Sequence, residues 1–416
     1  MKKFLATILL LALPATASAM TLQEATNTAL ENNPNLQNTK HSIEIAEKSL
    51  KIARGSKSVS VTASGGANAN KTEGNPDTKS VSARVTGSLP LYTGKKLESQ
   101  IKSAELEIDI SKLEYTQAQE DLIYQVAKAY IDALENYENT RVYKETEENM
   151  AEHEKNISAL YRAGSKAKID LLRAQVESSN AQQDTSKSQA AYEVSLTNLA
   201  TLLATGANSQ LTVEHVATSM DLGNLDAYLE QANLERADLK ATALKVDQGE
   251  YALEAARSGK RPSVSAEAGV GVDANSSTDW DRRADASAGV SASWNIFDSG
   301  ISKAEIQKAE SELEQLNLKM QDEINSIHEE VITAYKNLKI ALTRLKTTKK
   351  AVELAEEERF IAIERYRAGE GILLDVLDSE VSLSTAKKNH VSATYDVARY
   401  KFDLTHAVGD TMAAIQ

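Results

Sequence analysis

Asp375 and Asp378 are the residues whose type and spacing most suggest chemistry. They lie three apart in the segment LLDVLD, so on a helix both carboxylates occupy one face. Paired carboxylates can serve acid–base catalysis. The ordinary alternative is that two acids in the first turns of a helix complement its positive N-terminus, and the residues alone favour it.

No other set of residues indicates an enzyme. The six histidines are scattered without metal-ligand spacing: His41, His153, His215, His328, His390 and His406. The paired glycines Gly65-Gly66 and Gly269-x-Gly271 lie within alternating segments and do not precede helices, so they are not phosphate loops. The chain has no cysteine and therefore no disulfide or thiolate metal site. We predict no catalytic residues, no cofactor and no metal.

Charge and targeting narrow the class of protein further. With 60 acidic against 47 basic residues, the net charge of −13 argues against nucleic-acid binding. Residues 1–19 combine Lys2-Lys3, an apolar run and Ala17-Ser18-Ala19, the pattern of a cleaved signal peptide. That apolar run is too short to span a bilayer, and no other segment predicts a membrane helix. We expect an exported protein.

The aspartates belong to an internal repeat. Tyr161-Arg162-Ala163-Gly164 recurs as Tyr366-Arg367-Ala368-Gly369, and Asp170 recurs as Asp375, at a constant offset of 205. Two copies of one structural unit follow from such self-similarity. We place the first repeat at 20–205, a linker or equatorial segment at 206–224 and the second repeat at 225–416.

Each repeat carries a pair of alternating segments. Polar and small apolar residues alternate over about 58–70 and 80–91, and again over 263–274 and 284–297. This period predicts strands with one apolar and one polar face, close to the length that crosses a bilayer when tilted. Three aromatic residues at the strand–helix junctions suit a membrane-interface girdle: Tyr92, Trp294 and Phe297. The alternative is a pair of β-hairpins on a soluble protein.

Helical patterns occupy most of the remaining chain. Two long patterns cover Lys95–Ala163 and Ile301–Ala368, and patterns about half as long cover 21–54, 167–204, 225–258 and 372–408. Apolar residues in the second long pattern recur at 3-4 spacing from Ile324 to Ala355, which predicts coiled-coil packing. Four strands cannot close a barrel, whereas three chains would supply twelve strands around a water-filled lumen.

The layout resembles the TolC family of outer-membrane factors. The resemblance rests on the tandem repeat, the strand pair after each first helix, and YxxGxxxxxDVLD from Tyr366 to Asp378. It implies a mainly α protein whose trimer forms a 12-stranded membrane β-barrel and an α-helical tunnel. The location implied is the outer membrane of a Gram-negative cell, with the tunnel in the periplasm.

The resemblance also implies a function and partners. The chain would be a passive exit duct, gated at its periplasmic tip, for a tripartite efflux pump or type I secretion. Its partners would be two further copies, outer-membrane lipid, a periplasmic adaptor and an inner-membrane transporter. The alternative is a periplasmic coiled-coil structural or adaptor protein without membrane insertion.

Site residues follow from the same resemblance. Asp375 and Asp378 would form an aperture ring of six carboxylates, and Asp170, Tyr366 and Arg367 would tie the closed aperture. Gly371 stands where a family member has an arginine, so Arg367 or Arg162 would substitute. Two turns would receive the adaptor: Ala163, Gly164 and Ser165, and Ala368, Gly369 and Glu370.

Overall fold

The computed structural model describes residues 20–71, 78–205, 222–276 and 279–412. The predicted signal peptide and most of the predicted linker lie outside these ranges. The helices are α1 Leu22–Asn32, α2 Pro34–Gly55, α3 Lys96–Arg162, α4 Lys168–Leu202, α5 Leu225–Glu235, α6 Ala237–Arg257, α7 Ile301–Arg367 and α8 Leu373–Val408. The strands are β1 Ser60–Asn70, β2 Thr78–Tyr92, β3 Ser263–Asn275 and β4 Arg283–Ser293.

The element order repeats once along the chain. Two short helices, two strands, one long helix and one helix of intermediate length occur in α1–α4 with β1 and β2, and again in α5–α8 with β3 and β4. Both long helices have 67 residues. The predicted tandem repeat and mainly helical fold class are confirmed. Within the described ranges, no helix combines the length and apolar character needed to cross a membrane.

Each of the predicted helical segments 21–54 and 225–258 is broken into two short helices. Pro34 begins α2 directly after Asn33, because proline has no N–H to continue the ladder of α1. The break between α5 and α6 at Arg236 has no proline and was not predicted. There the backbone of Arg236 is non-helical (φ −55°, ψ 120°), and its buried guanidinium donates to both Asp238 carboxylate oxygens, at 3.0 and 2.6 Å.

The chain divides into two compact units. The strand-bearing unit comprises Asn35–Ala118 and Arg236–His328. Of the described residues, the helical unit comprises 20–34, 119–205, 222–235 and 329–412.

The strand-bearing unit contains one antiparallel sheet in the order β1-β2-β3-β4. Its register separates two faces. One polar row is Thr62, Thr86, Gly269 and Ser287, and the neighbouring apolar row is Ala63, Val85, Val270 and Ala286. Large apolar side chains remain exposed, with Val61 at 70% and Val290 at 69%. Such a sheet has neither its outer edges nor its apolar face covered by the described part of this chain.

The predicted fourth strand, 284–297, is too long at its end. β4 stops at Ser293, which pairs with Ser263, the first residue of β3. Pro262 precedes that residue and has no N–H to pair further. Beyond the strand, Trp294 Nε1 instead donates to the Lys260 carbonyl at 3.1 Å.

The helical unit has an apolar core along its helices. Tyr130, Tyr395 and Phe402 are almost fully buried. The predicted 3-4 stripe on α7 is packed inward at Val331, Ala334, Leu338, Ala341 and Ala355. Ion pairs add to this core, since the Arg399 guanidinium lies 2.7–2.8 Å from carboxylates of Asp132, Glu135 and Asp396.

Candidate functional site

Two turns with the same backbone lie in the helical unit. Gly164 after α3 and Gly369 after α7 have φ of +76° and +79°. Ser165 N–H donates to the Leu160 carbonyl at 2.9 Å, and Glu370 N–H donates to the Arg365 carbonyl at 3.0 Å. Each of these hydrogen bonds joins an N–H to the carbonyl five residues earlier, as in the Schellman motif that ends a helix at a glycine. A Cβ on either glycine would contact nothing within 4 Å, so the requirement for glycine comes from φ alone.

Gly371 is constrained by contact and not by φ. A Cβ there would lie 3.1 Å from the Tyr366 backbone nitrogen and 3.3 Å from Arg365, and its own N–H donates to the Arg365 carbonyl. A larger residue would have to push the backbone of α7 away. The glycine therefore suits this tight turn, and an arginine would need a different one.

Asp375 and Asp378 are exposed on α8, opposite the buried Val376 and Leu377. They line one depression together with Glu357, Glu358 and Arg365 of α7 and three apolar residues of that helix: Leu354, Ile361 and Ala362. Four carboxylates thus face one guanidinium. Sequence reasoning missed Glu357 and Glu358, because acids on a long helix look like an ordinary solvated face.

The predicted aperture ties are not joined to one another in this chain. Asp170 lies in the first turn of α4, and Arg367 instead pairs with Glu364 at 2.9 Å. The hydroxyl of Tyr366 is buried and has no hydrogen-bond partner among the described residues. Its ring packs against an apolar cluster that includes Ile157, Ala174 and Leu377.

A buried charged network lies near the turns and was not found from the sequence. Glu380 is only 2% exposed and accepts from Arg359 Nε and from Asn149 Nδ2, with His153 Nε2 at 3.5 Å. Burial alone would raise the pKa of Glu380, but hydrogen bonds from His153 and Arg359 outweigh it and hold the pKa below its usual value. These residues come from three helices, so no periodic pattern connects them.

The aromatic residues predicted as a girdle lie at one end of the sheet. A register shift between Pro90 and Tyr92 pairs Tyr92 with Val264, whose other partner is Ala292. Tyr92 therefore shares the apolar face, which simple alternation would not have given it. Trp294 and Phe297 follow β4 at the same end, 59% and 84% exposed.

The described residues contain no group of three or more His, Cys, Asp or Glu that could hold a metal ion. The helical unit presents two small glycine turns with a group of acids beside one of them, and the strand-bearing unit presents an exposed amphipathic sheet. Turns and acids of this kind can contact partners or ions, and a sheet of this kind can contact lipid.

Comparisons with known proteins agree with that geometry. A sequence model of the outer membrane efflux protein family matches residues 25–205 and 228–410. The outer membrane protein TolC of Vibrio cholerae serotype O1 is 24% identical, over 98% of this chain and 96% of the relative. The outer membrane efflux protein BepC of Brucella suis biovar 1 is 21% identical, over 94% and 86%.

Solved structures share the fold. The outer-membrane channel OprN superposes with a TM-score of 0.83 at 19% identity, covering 94% of this chain and 90% of that one. The open-state outer membrane channel MtrE of Neisseria gonorrhoeae superposes with a TM-score of 0.80 at 21% identity, covering 94% and 89%.

Proposed function

Because this chain belongs to the outer membrane efflux protein family, we propose that three copies close one channel from its four-stranded sheet. The family places the protein in the Gram-negative outer membrane, with a helical tunnel in the periplasm, as an exit duct for efflux. It is a family of transport ducts and not of enzymes.

The observation that carries the trimer is the sheet itself. β1 and β4 are open edges, and the sheet exposes an apolar face beside a polar one. Open edges are not stable in lipid, and twelve strands would close a lumen with the polar rows inside. Tyr92, Trp294 and Phe297 would then form the girdle at one membrane interface.

Native mass measurement of the purified full chain tests this assembly. We expect three chains per particle in the outer-membrane fraction. A monomeric protein in the soluble periplasmic fraction would support the periplasmic coiled-coil alternative instead.

We propose that the part of the helical unit next to the turn at Gly369 acts as a gate. Three copies of Asp375 and Asp378 would ring the aperture, and their combined field would concentrate cations there. Asp170, Tyr366 and Arg367 would tie the closed state, with the unpartnered Tyr366 hydroxyl as the available donor. Its burial without a partner is unfavourable, so a small movement that brings an acceptor would be favoured.

The gate predicts a charge effect in planar bilayers. The channel should be cation-selective, and a trivalent cation on the periplasmic side should block it. Asp375→Asn together with Asp378→Asn removes the charges at nearly constant size, so the blocking concentration should rise by at least about tenfold. Asp184→Asn, an exposed acid of α4, is the control and should leave block unchanged. Unchanged block in the double variant would return both aspartates to the role of helix-start acids.

The proposed partners dock at the two turns. A periplasmic adaptor would contact Ala163, Gly164 and Ser165 and their repeat equivalents Ala368, Gly369 and Glu370, linking the duct to an inner-membrane transporter. The small, exposed glycines support this, because a close-fitting partner can reach their backbone. Service in type I secretion, cleavage of residues 1–19, and a linker at 206–224 between repeats 20–205 and 225–416 belong to the same proposal.

A further inference from the structure

A cavity of about 630 Å³ opens between α3, α7 and α8 beside the turn at Gly369. Its volume lies within the range of pockets that enclose drug-sized molecules. It is separate from the depression that holds Asp375 and Asp378, with no lining residue in common.

One wall of the cavity is apolar. Ile157 and Val376 are almost fully buried, while Leu160 and Ile363 are partly exposed. These side chains come from three helices and offer a surface for a flat or extended apolar body. The transfer of such a body from water would be the main source of affinity.

The end of the cavity near the turns carries an uncompensated positive charge. Lys166 Nζ lies 4.3 Å from the centroid of the Tyr366 ring, and it makes no ion pair with any described residue. The two arginines of the cavity differ from Lys166 in having carboxylate partners, since Arg359 is paired with Glu380 and Arg367 with Glu364. The carboxylate in the lining, Glu152, lies on α3 about 15 Å along the helix from its end, at 1.5 Å per residue.

We propose that this cavity binds a small amphiphilic anion, an aromatic or short-chain carboxylate. Its carboxylate accepts from Lys166, and its apolar body lies against Ile157, Leu160 and Ile363. The ammonium on the ring face is fixed in place by the aromatic quadrupole and keeps its donors for the ligand. A bound ligand would separate α3 from α7 next to the turns. Its effect on opening, but not its binding, rests on the proposed function.

Isothermal titration of the purified full chain in amphipol with 1-naphthoate tests the site, and neutral 1-naphthamide is the matched ligand. We expect one naphthoate per chain and at least about tenfold weaker binding of the amide, as loss of a charge-assisted contact gives. Lys166→Gln should weaken naphthoate binding about tenfold and leave the amide unchanged. Lys168→Gln, an exposed lysine outside the cavity, should change neither.

Equal affinity for the two ligands, undiminished naphthoate binding in Lys166→Gln, or no saturable binding would each overturn the proposal. The binding result is independent of the aspartate ring, which shares no lining residue with this cavity. Conductance measured with and without 1-naphthoate reports the consequence for opening, and failure of the aspartate ring would leave the binding result standing.

Discussion

Raising the pH from 6 to 10.5 should measurably lower the free energy of unfolding of the helical unit, because His406 loses its proton over that range. The His406 imidazole stacks on Tyr124, with centroids 4.3 Å apart, and its side chain is 15% exposed. Nε2 lies 2.9 Å from an Asp121 oxygen and Nδ1 lies 3.8 Å from a Glu330 oxygen. Both ring nitrogens thus face carboxylates, which suits the imidazolium. Burial would lower the pKa, but these partners outweigh it and raise the pKa of His406 to about 9.

The magnitude follows from linkage. A folded pKa of about 9 against an ordinary 6.5 corresponds to about 3 kcal/mol per chain. Because the folded pKa is the higher one, this stability is fully present below pH 6.5 and is lost as pH rises through about 9. His406→Gln lacks the charge and should be less stable than the wild type at pH 6.

Denaturant midpoints of the helical signal, measured for wild type and His406→Gln from pH 6 to 10.5, isolate this residue because other titrations cancel in the difference. The gap between the two should shrink as pH rises. Titration of ¹³C-labelled histidine should show one imidazole signal that changes near pH 9 and is absent from the variant. A gap that stays constant with pH, or a His406 signal that titrates near 6.5, would refute the reasoning.

Three further variants test backbone and sheet. Gly369→Ala forces an alanine into the left-handed backbone region and should lower the free energy of unfolding by about 1 kcal/mol, measured by thermal unfolding. Gly55→Ala, at a helix end without positive φ, should be neutral or stabilising; equal effects would contradict the φ argument. Val85→Asp places a charge on the apolar face and should cost on the order of 2 kcal/mol and lower outer-membrane yield, while Thr86→Asp on the polar row should be nearly silent; equal yields would mean that the faces are misassigned. Gly271→Ala should separate the ion pair between Arg84 and Asp285, which crosses β3. The temperature at which the assembled protein dissociates should fall only slightly, because an exposed pair contributes at most about 1 kcal/mol; no change would mean that the pair contributes nothing.

Much of the fold could be predicted because its determinants are local and periodic. The alternation around Val85 and the 3-4 stripe through Leu338 each follow from a period that the chain repeats over many residues. The repeat at an offset of 205 then made each element visible twice. The positive-φ glycines Gly164 and Gly369 could be located for the same reason, since a helix pattern ends at each of them.

What the sequence did not show depends on contacts between distant segments. The register shift that moves Tyr92 to the apolar face needs the partner strand β3 to define it. The end of β4 at Ser293 depends on where β3 begins. Glu380 is buried because three helices converge on it, and Arg359 and Arg367, which line the cavity together with Lys166, are paired with Glu380 and Glu364. No spacing within one segment encodes such choices.

The two glycine turns have one further consequence. Their backbones are equivalent, yet the residue after the glycine is neutral Ser165 in one and acidic Glu370 in the other. In a trimer, six turns of one shape would therefore alternate between two chemical kinds. A partner present in six identical copies would find the same backbone at every position but two distinct environments, so its copies could not all be energetically equivalent. In such a trimer, the internal duplication would thus give sixfold geometry and only threefold chemistry to whatever meets this surface.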